Sequence, residues 1–171
     1  SITDCSFTGI YTNERIKGQP RKDPNSLIAF YNMTGKFYDI PFRADSIQIT
    51  DLKSPTFTGK FKAGFPLAML NKIFGGNTFL FDKGTAELDL LYRAPFNQLD
   101  SGKRYIHGTV KVEDGQASYK PRSMLFKDIR LLMDFRGEDL YLQNLKVKSG
   151  TTSLNMEAVL RNFSNFYYTD P

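Results

Sequence analysis

Four consecutive runs decide the fold of this chain: Gly108-Thr-Val-Lys-Val-Glu-Asp-Gly115, Leu125-Phe-Lys-Asp-Ile-Arg-Leu-Leu-Met-Asp-Phe-Arg-Gly137, Asp139-Leu-Tyr-Leu-Gln-Asn-Leu-Lys-Val-Lys-Ser-Gly150 and Ser153-Leu-Asn-Met-Glu-Ala-Val-Leu160. They lie in a segment from Lys103 to Phe163 in which apolar and polar residues alternate, the pattern of half-buried strands joined by tight turns. The segment therefore predicts an antiparallel meander with one apolar and one wet face. Glu113-Asp114-Gly115 is interpreted as a hairpin turn, because Asp-Gly suits a type I′ turn.

The composition favours a single β-rich domain over residues 1–171. The chain has 171 residues with 40% hydrophobic and 14% aromatic content, which is enough for one domain with a core. Its fifteen Phe and nine Tyr belong to the residue types that pleated, half-buried surfaces favour. The fold is predicted to be mainly β, a curved antiparallel meander resembling a groove or half-barrel, with one short helix capping an end or a face.

Strands are also predicted before the meander. The alternation places them at Thr3–Tyr11, Leu27–Met33, Lys36–Phe42, Asp45–Thr50, Phe57–Phe65 and Thr85–Arg93, with a polar loop at 13–26. A faint internal repeat accompanies them, since Thr34-Gly-Lys-Phe37 recurs as Thr58-Gly-Lys-Phe61 and Phe7-Thr-Gly9 recurs as Phe57-Thr-Gly59. The repeat suggests that one strand-turn-strand unit is used several times.

One helix is predicted, from Pro66 to Phe74. Proline is favoured in the first turn of a helix, and the pair Gly75-Gly76 is favoured just after the last turn. Four residues share one face at helical spacing: Leu67, Leu70, Ile73 and Phe74. A helix of this length is unstable unless it packs on something. It is expected to act as a plug or lid on the open end of the apolar sheet face.

Charge and cysteine usage set few limits on function. The net charge of +5 permits contact with phosphates, but the basic residues are interleaved with acidic ones, which favours a solvated surface over a phosphate-binding patch. Cys5 is the only cysteine, so an internal disulfide is excluded, and a buried or half-buried thiol is expected rather than a lipidated one. The chain begins at Ser1 and is interpreted as part of a longer protein.

The sequence offers no matched catalytic set, so the chain is predicted not to be an enzyme and to use no metal and no cofactor. His107 is the only histidine and is expected on the polar face of its strand, which excludes a metal site built on imidazoles. Glu87 and Asp89 share a strand face and are interpreted as solvated charges rather than an acid/base pair. Tyr105 and Tyr119 lie near basic residues, but the aromatic motifs of nucleic-acid modules are missing, and no nucleic-acid partner is expected.

The remaining candidate for function is the apolar stripe itself. It fills a core between two layers or beneath the helix, or it forms the inner face of a curved sheet that holds acyl chains. For any single residue the core interpretation is favoured. One short helix cannot cover five or more strands, however, so either the sheet folds on itself or something else fills its apolar face. The predicted lipid-binding residues are Leu88, Leu90, Tyr92, Ile106, Val110, Val112, Ile129, Leu131, Met133, Phe135, Leu154 and Met156.

Four stretches have a shared cadence: Gly59-Lys-Phe-Lys-Ala-Gly-Phe-Pro-Leu-Ala-Met-Leu70, Lys83-Gly-Thr-Ala-Glu-Leu-Asp-Leu-Leu-Tyr92, His107-Gly-Thr-Val-Lys-Val-Glu-Asp-Gly-Gln-Ala-Ser-Tyr119 and Leu140-Tyr-Leu-Gln-Asn-Leu-Lys-Val-Lys-Ser-Gly-Thr-Thr-Ser-Leu-Asn-Met-Glu-Ala158. In these stretches the chain resembles the C-terminal region of the AsmA-like family of envelope proteins. The resemblance is one of cadence and order over residues 51–165, while residues 1–50 match only in general character.

The resemblance implies a periplasmic β-groove module whose parent protein is anchored in the inner membrane by an N-terminal helix. Phospholipid acyl chains would be its ligands, outer-membrane biogenesis its process, and outer-membrane protein assembly factors further partners. The family pattern includes no catalytic residues. The chain departs from the family by lacking the anchor and by being far shorter. A protein-interaction or assembly-chaperone module, pairing its sheet edges with strands of client outer-membrane proteins, is the alternative hypothesis.

Overall fold

A computed structural model describes residues 1–97 and 104–163, and over these residues the chain forms one antiparallel sheet of nine strands that is not closed. Strand order in the sheet follows the order in the sequence. Lys103, the start of the predicted meander, lies outside the described residues, as do the last residues of the predicted repeat region. The strands are β1 (Ile2–Thr12), β2 (Leu27–Phe37), β3 (Ile40–Thr50), β4 (Thr56–Pro66), β5 (Phe79–Pro95), β6 (Tyr105–Tyr119), β7 (Met124–Gly137), β8 (Asp139–Ser149) and β9 (Thr152–Leu160).

The predicted fold class is confirmed, but one predicted strand is wrong. The run Lys36–Phe42 is not a strand, because β2 continues to Phe37 and β3 begins at Ile40. Tyr38 and Asp39 form the turn between them with φ of 49° and 65°. Two successive positive φ values are the signature of a type I′ hairpin turn. The sequence hid this turn because neither position is glycine.

The predicted hairpin turn at 113–115 is also wrong, since these residues lie inside β6. Val112 pairs with Leu131 and Gly115 pairs with Ile129, so three steps on β6 match two on β7. Asp114 is therefore the extra residue of a β-bulge, and it takes the left-handed φ of 49° that Asp tolerates. The local preference for positive φ was real, but the chain continues as a strand instead of reversing.

Bulges of this kind recur across the sheet, and each extra residue is Asp or Asn. A bulge adds one residue that has no partner on the next strand, and it bends the strand. Residues separated by three positions across a bulge therefore lie on the same face, whereas in a regular strand they would lie on opposite faces. In β8, for example, Leu142 and Leu145 both reach the apolar face because Asn144 is the extra residue between them. The register places the bulge residues at Asp4, Asn32, Asp45, Asp82, Asp114, Asp128 and Asn144.

A helical cap follows β4, close to the predicted position. It consists of a 3-10 turn over Leu67–Leu70 and one α-helical turn, α1 (Asn71–Phe74). Pro66 precedes the cap with an extended ψ of 134°, so it ends β4 rather than opening the helix. Gly75 ends the cap with a left-handed φ of 68°. The helix predicted at this point is thus confirmed in place, with its first half wound more tightly than an α-helix.

The cap packs on the apolar side of the sheet near the bulge in β6. Leu67 is buried, and a Cβ atom added to Gly115 would lie 3.1 Å from Leu67 Cδ1 and 3.0 Å from Ile129 Cβ. The glycine therefore leaves room for the cap to approach the sheet closely. The predicted capping of a face by a short helix is confirmed.

The buried core is small for a chain of this size. Half of its buried hydrophobic residues are alanines, and the larger ones include Leu67, Phe135 and Leu140. The chain exposes 11194 Å² of surface. A compact monomer of 19.5 kDa exposes about 8,500 Å² by the usual scaling with mass. A sheet that forms a single layer contributes to this excess.

Candidate functional site: an uncovered apolar sheet face

One row of paired residues shows how the apolar face is built. It crosses eight strands, from β2 to β9, and each of its positions is apolar or glycine. In antiparallel pairs, residues directly opposite each other project to the same face. The row runs Met33, Ala44, Phe61, Leu90, Gly108, Phe135, Leu140 and Leu160.

The register also places all the sequence-predicted groove residues on this face. Leu88 pairs with Val110, which pairs with Met133, and the neighbouring rows continue in the same way. In the last strand, Leu154 pairs with Val147 and Met156 with Leu145. The structure thus brings the predicted set together as one surface, which we call the apolar face.

Most of this surface is only half covered. Among the predicted groove residues, Phe135 is buried, Leu154 and Met156 are exposed, and the other nine are intermediate. Side chains in a closed two-layer core would be buried on average far more deeply. Within the described ranges the helical cap packs over the sheet and contacts chiefly β5, and the Phe163 ring lies beside that of Phe135 with ring centroids 6.1 Å apart. The apolar face is therefore open along much of its length.

The internal repeat found in the sequence has a structural basis on this face. Phe57 and Phe61 lie on either side of Gly59 in β4, with ring centroids 6.2 Å apart and nearly parallel planes. A Cβ atom at Gly59 would lie 2.6 Å from the Phe61 ring, so glycine lets the ring lie flat on the backbone. Phe7 and Gly9 repeat the arrangement in β1, where the Phe7 ring would lie 3.7 Å from a Cβ on Gly9.

The N-terminal half of the apolar face contains a cavity that the sequence did not indicate. Its volume is about 410 Å³, and the atoms that line it are apolar. The lining combines residues of β2 to β5, the first residue of β1 and two residues of the helical cap, which are distant from each other in sequence. It consists of Ile2, Phe37, Ile40, Phe42, Phe61, Ala63, Phe65, Leu70, Ile73 and Leu88. Of these, only Leu88 belonged to the predicted groove.

Charged side chains lie beside this cavity. Lys72 of α1 forms an ion pair with Asp39 of the turn between β2 and β3. Lys36, whose side chain projects to the opposite face of β2 from Phe37, pairs with Asp4 at 2.7 Å. The hydrogen bond and the charge of Lys72 lower the pKa of the Asp39 carboxyl. Asp4 acts on Lys36 in the opposite sense and raises the pKa of its ammonium group. Both pairs are well exposed, so each contributes little to stability.

The aspartates among the bulge residues, which we call the bulge acids, form ion pairs on and around the opposite, polar face. Asp114 pairs with Arg130 at 2.9 Å, and Asp128 pairs with Lys148 at 2.8 Å, each across to the next strand. Asp45 reaches Lys62 at 3.6 Å in the same way. Each contact joins a bulge residue to a basic residue of the next strand, so oppositely charged side chains alternate along this face.

The candidate catalytic residues lie on this polar face. His107 is exposed and stacks on Tyr105 with ring centroids 6.1 Å apart. Glu87 and Asp89 are exposed, and Asp89 lies 3.7 Å from Lys62. The guanidinium carbon of Arg136 lies 4.4 Å from the centre of the Tyr141 ring, a cation–π contact. Within the described ranges, no group of three or more His, Cys, Asp and Glu side chains is placed to hold a metal ion.

The sheet ends in two edge strands, β1 and β9. Large apolar side chains are exposed on both, such as Ile2 and Phe7 on β1 and Leu154 and Val159 on β9. Cys5 also lies on β1 and its thiol is exposed, so the expected buried or half-buried thiol is wrong. An edge strand has a neighbour on one side only. The alternation of apolar and polar residues does not reveal which strand lies at the edge of the sheet.

Comparisons with protein families, with curated proteins and with solved structures find no match to this chain. In the part of the chain that the structure describes, no helix has both the length and the apolar composition needed to cross a bilayer.

Proposed function

We propose that this chain is a non-enzymatic β-groove module that holds phospholipid acyl chains against the apolar face of its sheet. One observation carries the proposal: a row of apolar or glycine positions crosses eight strands without a second sheet over it in the described residues. Apolar surface left in water is unfavourable, and each methylene moved onto it gains about 0.8 kcal/mol. An acyl chain is long and flexible enough to cover such a surface.

The chemistry of the face favours sliding over fixed binding. Its side chains are aliphatic or aromatic. The ion pairs Asp114–Arg130 and Asp128–Lys148 belong to the opposite, polar side of the sheet. Without a polar anchor, an acyl chain gains burial wherever it lies along the face. A groove of this kind suits conduction of a lipid. Following the sequence resemblance, we place the module in the periplasm, within an AsmA-like protein anchored in the inner membrane and active in outer-membrane biogenesis.

The proposal is tested by lipid extraction and native mass spectrometry of the purified chain. We expect co-purifying phospholipid, and we expect Val110→Glu to reduce it several-fold because a carboxylate on the apolar face would need to be desolvated. His107→Glu is the matched control, since it adds the same charge to the same strand on the other face. Absence of lipid from the wild-type chain, or equal loss in both variants, would contradict the proposal.

The exposed edge strands favour a second candidate, an assembly module that pairs with strands of client outer-membrane proteins. An edge strand presents unpaired N–H and C=O groups that an extended peptide can extend by one strand. Photocrosslinkers at Thr8 in β1 and Asn155 in β9 would distinguish the two functions. Crosslinks to nascent barrel strands would support assembly, whereas crosslinks to lipid alone would support the groove.

A further inference from the structure

The cavity beside the helical cap differs from the rest of the apolar face because it has walls as well as a floor. Phe61, Ala63 and Leu88 belong to strands β4 and β5 and form part of the sheet side. Leu70 and Ile73 of the helical cap line it as well. A ligand on the open face farther along the sheet would contact protein on one side only. In this cavity the same ligand would be enclosed on several sides.

Its lining indicates the chemistry of the ligand. The lining offers no polar atom, so a polar ligand group placed inside would lose its hydrogen bonds to water without replacement. The volume of about 410 Å³ lies in the range of small-molecule sites. The outer wall is formed by unusually exposed apolar side chains, with Ile2 61%, Phe37 43% and Ile73 37% exposed. An unbranched hydrocarbon chain satisfies each of these features.

The charges beside the cavity indicate what lies outside it. Lys72 precedes Ile73 and Asp39 precedes Ile40, so their ion pair joins two walls of the cavity. The rim therefore carries one ammonium group and one carboxylate. A zwitterionic phospholipid headgroup, with one phosphate and one ammonium, is complementary to such a rim.

We propose that this cavity is an end site of the groove, which takes the methyl end of one acyl chain of a zwitterionic phospholipid while the headgroup stays at the charged rim. The inference rests on the proposed function, because it assumes that acyl chains occupy the apolar face. It adds a location, an orientation and a limit to the chain length that is bound most tightly.

The test uses the whole chain and lysophosphatidylethanolamines with octanoyl, dodecanoyl and hexadecanoyl chains. Each methylene that enters the cavity should tighten binding about fourfold, which is the factor equivalent to the usual gain per buried methylene. Ala63→Phe fills the cavity from its floor and should weaken binding of the longer chains at least tenfold. Ser153→Phe places the same ring in β9, on the polar face and outside the cavity, and should leave that binding unchanged.

A photoreactive group establishes the orientation. Placed at the methyl end of the acyl chain, it should label Ala63 or Leu88 on the sheet side of the cavity, and placed beside the headgroup it should label the rim at Lys72 instead. Ile73→Gln, at a more exposed wall position, provides a second variant if Ala63→Phe does not fold, and it should also weaken binding. Unchanged affinity in folded variants, with lipid still bound by the wild-type chain, would overturn the end site alone. A wild-type chain that binds no lipid would overturn the proposed function as well.

Discussion

The side chain of Asn71 bonds both backbone groups of Phe81: Oδ1 accepts from the Phe81 N–H at 2.8 Å, and Nδ2 donates to the Phe81 carbonyl at 2.7 Å. Pairing between β4 and β5 ends at Pro66 and Thr85, so β5 extends beyond its neighbour at Phe81. Asn71 therefore takes the place of a missing strand partner. This double hydrogen bond fastens the helical cap to the sheet.

Removing this amide should loosen the cap. We expect Asn71→Ala to lower the free energy of unfolding by about 1–3 kcal/mol, because two part-buried backbone groups lose their partner. The measurement is urea denaturation followed by circular dichroism. Asn77→Ala, in the exposed turn after the cap, is the control and should have little effect. Equal destabilisation by the two variants would show that the hydrogen bonds to Phe81 are not important.

Gly115 should tolerate no larger side chain. Gly115→Ala places a methyl group 3.0 Å from Ile129 Cβ and 3.1 Å from Leu67 Cδ1, so we expect a loss of about 1–3 kcal/mol from overpacking. Thermal unfolding measures it. Gly64→Ala is the matched control, because its methyl group would meet nothing closer than 4.0 Å. Gly64→Ala should be neutral or slightly stabilising, since alanine restricts the unfolded chain. The docking of the cap on Gly115 is contradicted if both variants unfold at the same temperature.

Asp128, one of the bulge residues, should give the sheet a small dependence on pH. The hydrogen bond and charge of Lys148 lower the pKa of the Asp128 carboxyl from its ordinary value of 3.8. A lowered folded pKa means that the contribution to stability is present above pH 3.8 and is lost as the pH falls through the folded value. Asp128→Asn should therefore shift the urea midpoint at pH 7 and have no effect once the pH is well below 3.8.

The effect of Asp128→Asn is expected to be modest and to shrink in high salt, because both partners are exposed. Glu157→Gln, at an exposed position of β9, controls for the loss of one negative charge. A midpoint shift that persists unchanged below the folded pKa would be inconsistent with an ionic contact at the bulge.

Cys5 should react freely in the folded protein. Its thiol is exposed on the edge strand β1, so we expect labelling by a maleimide to proceed at a similar rate with and without urea. The Sγ atom lies against the backbone of Gly35, close to where the Phe42 ring approaches the same glycine. Since Phe42 lines the cavity, bound lipid should slow the labelling. A thiol that reacts only in urea would contradict its exposed position.

The strands of the meander could be predicted because each depends on local alternation. Val110 and Val112 are two residues apart and so share a face in any extended strand. The bulges could not be predicted in the same way, although Asp114 and Asn144 interrupt the alternation. Asp followed by Gly suits both a turn and a bulge, and the choice depends on whether the following residues pair with the next strand.

The cavity could not be predicted because its walls come from distant parts of the sequence. Ile2, Phe37 and Leu70 meet only after the strands have taken their order in the sheet and the cap has docked. Each of these residues alone looks like an ordinary core residue. The exposed position of Cys5 depends on the same information, since it follows from β1 being an edge.

Because strand order equals sequence order, each strand adds to its predecessor through a single ladder. The stability of such an array is close to a sum of nearest-neighbour terms, as in solenoid repeats. Folding can then begin at any hairpin and spread in both directions, and unfolding can proceed strand by strand from either end. Loss of β9 would leave the earlier ladders intact, so the chain has a graded response to damage that a protein with one closed core does not have.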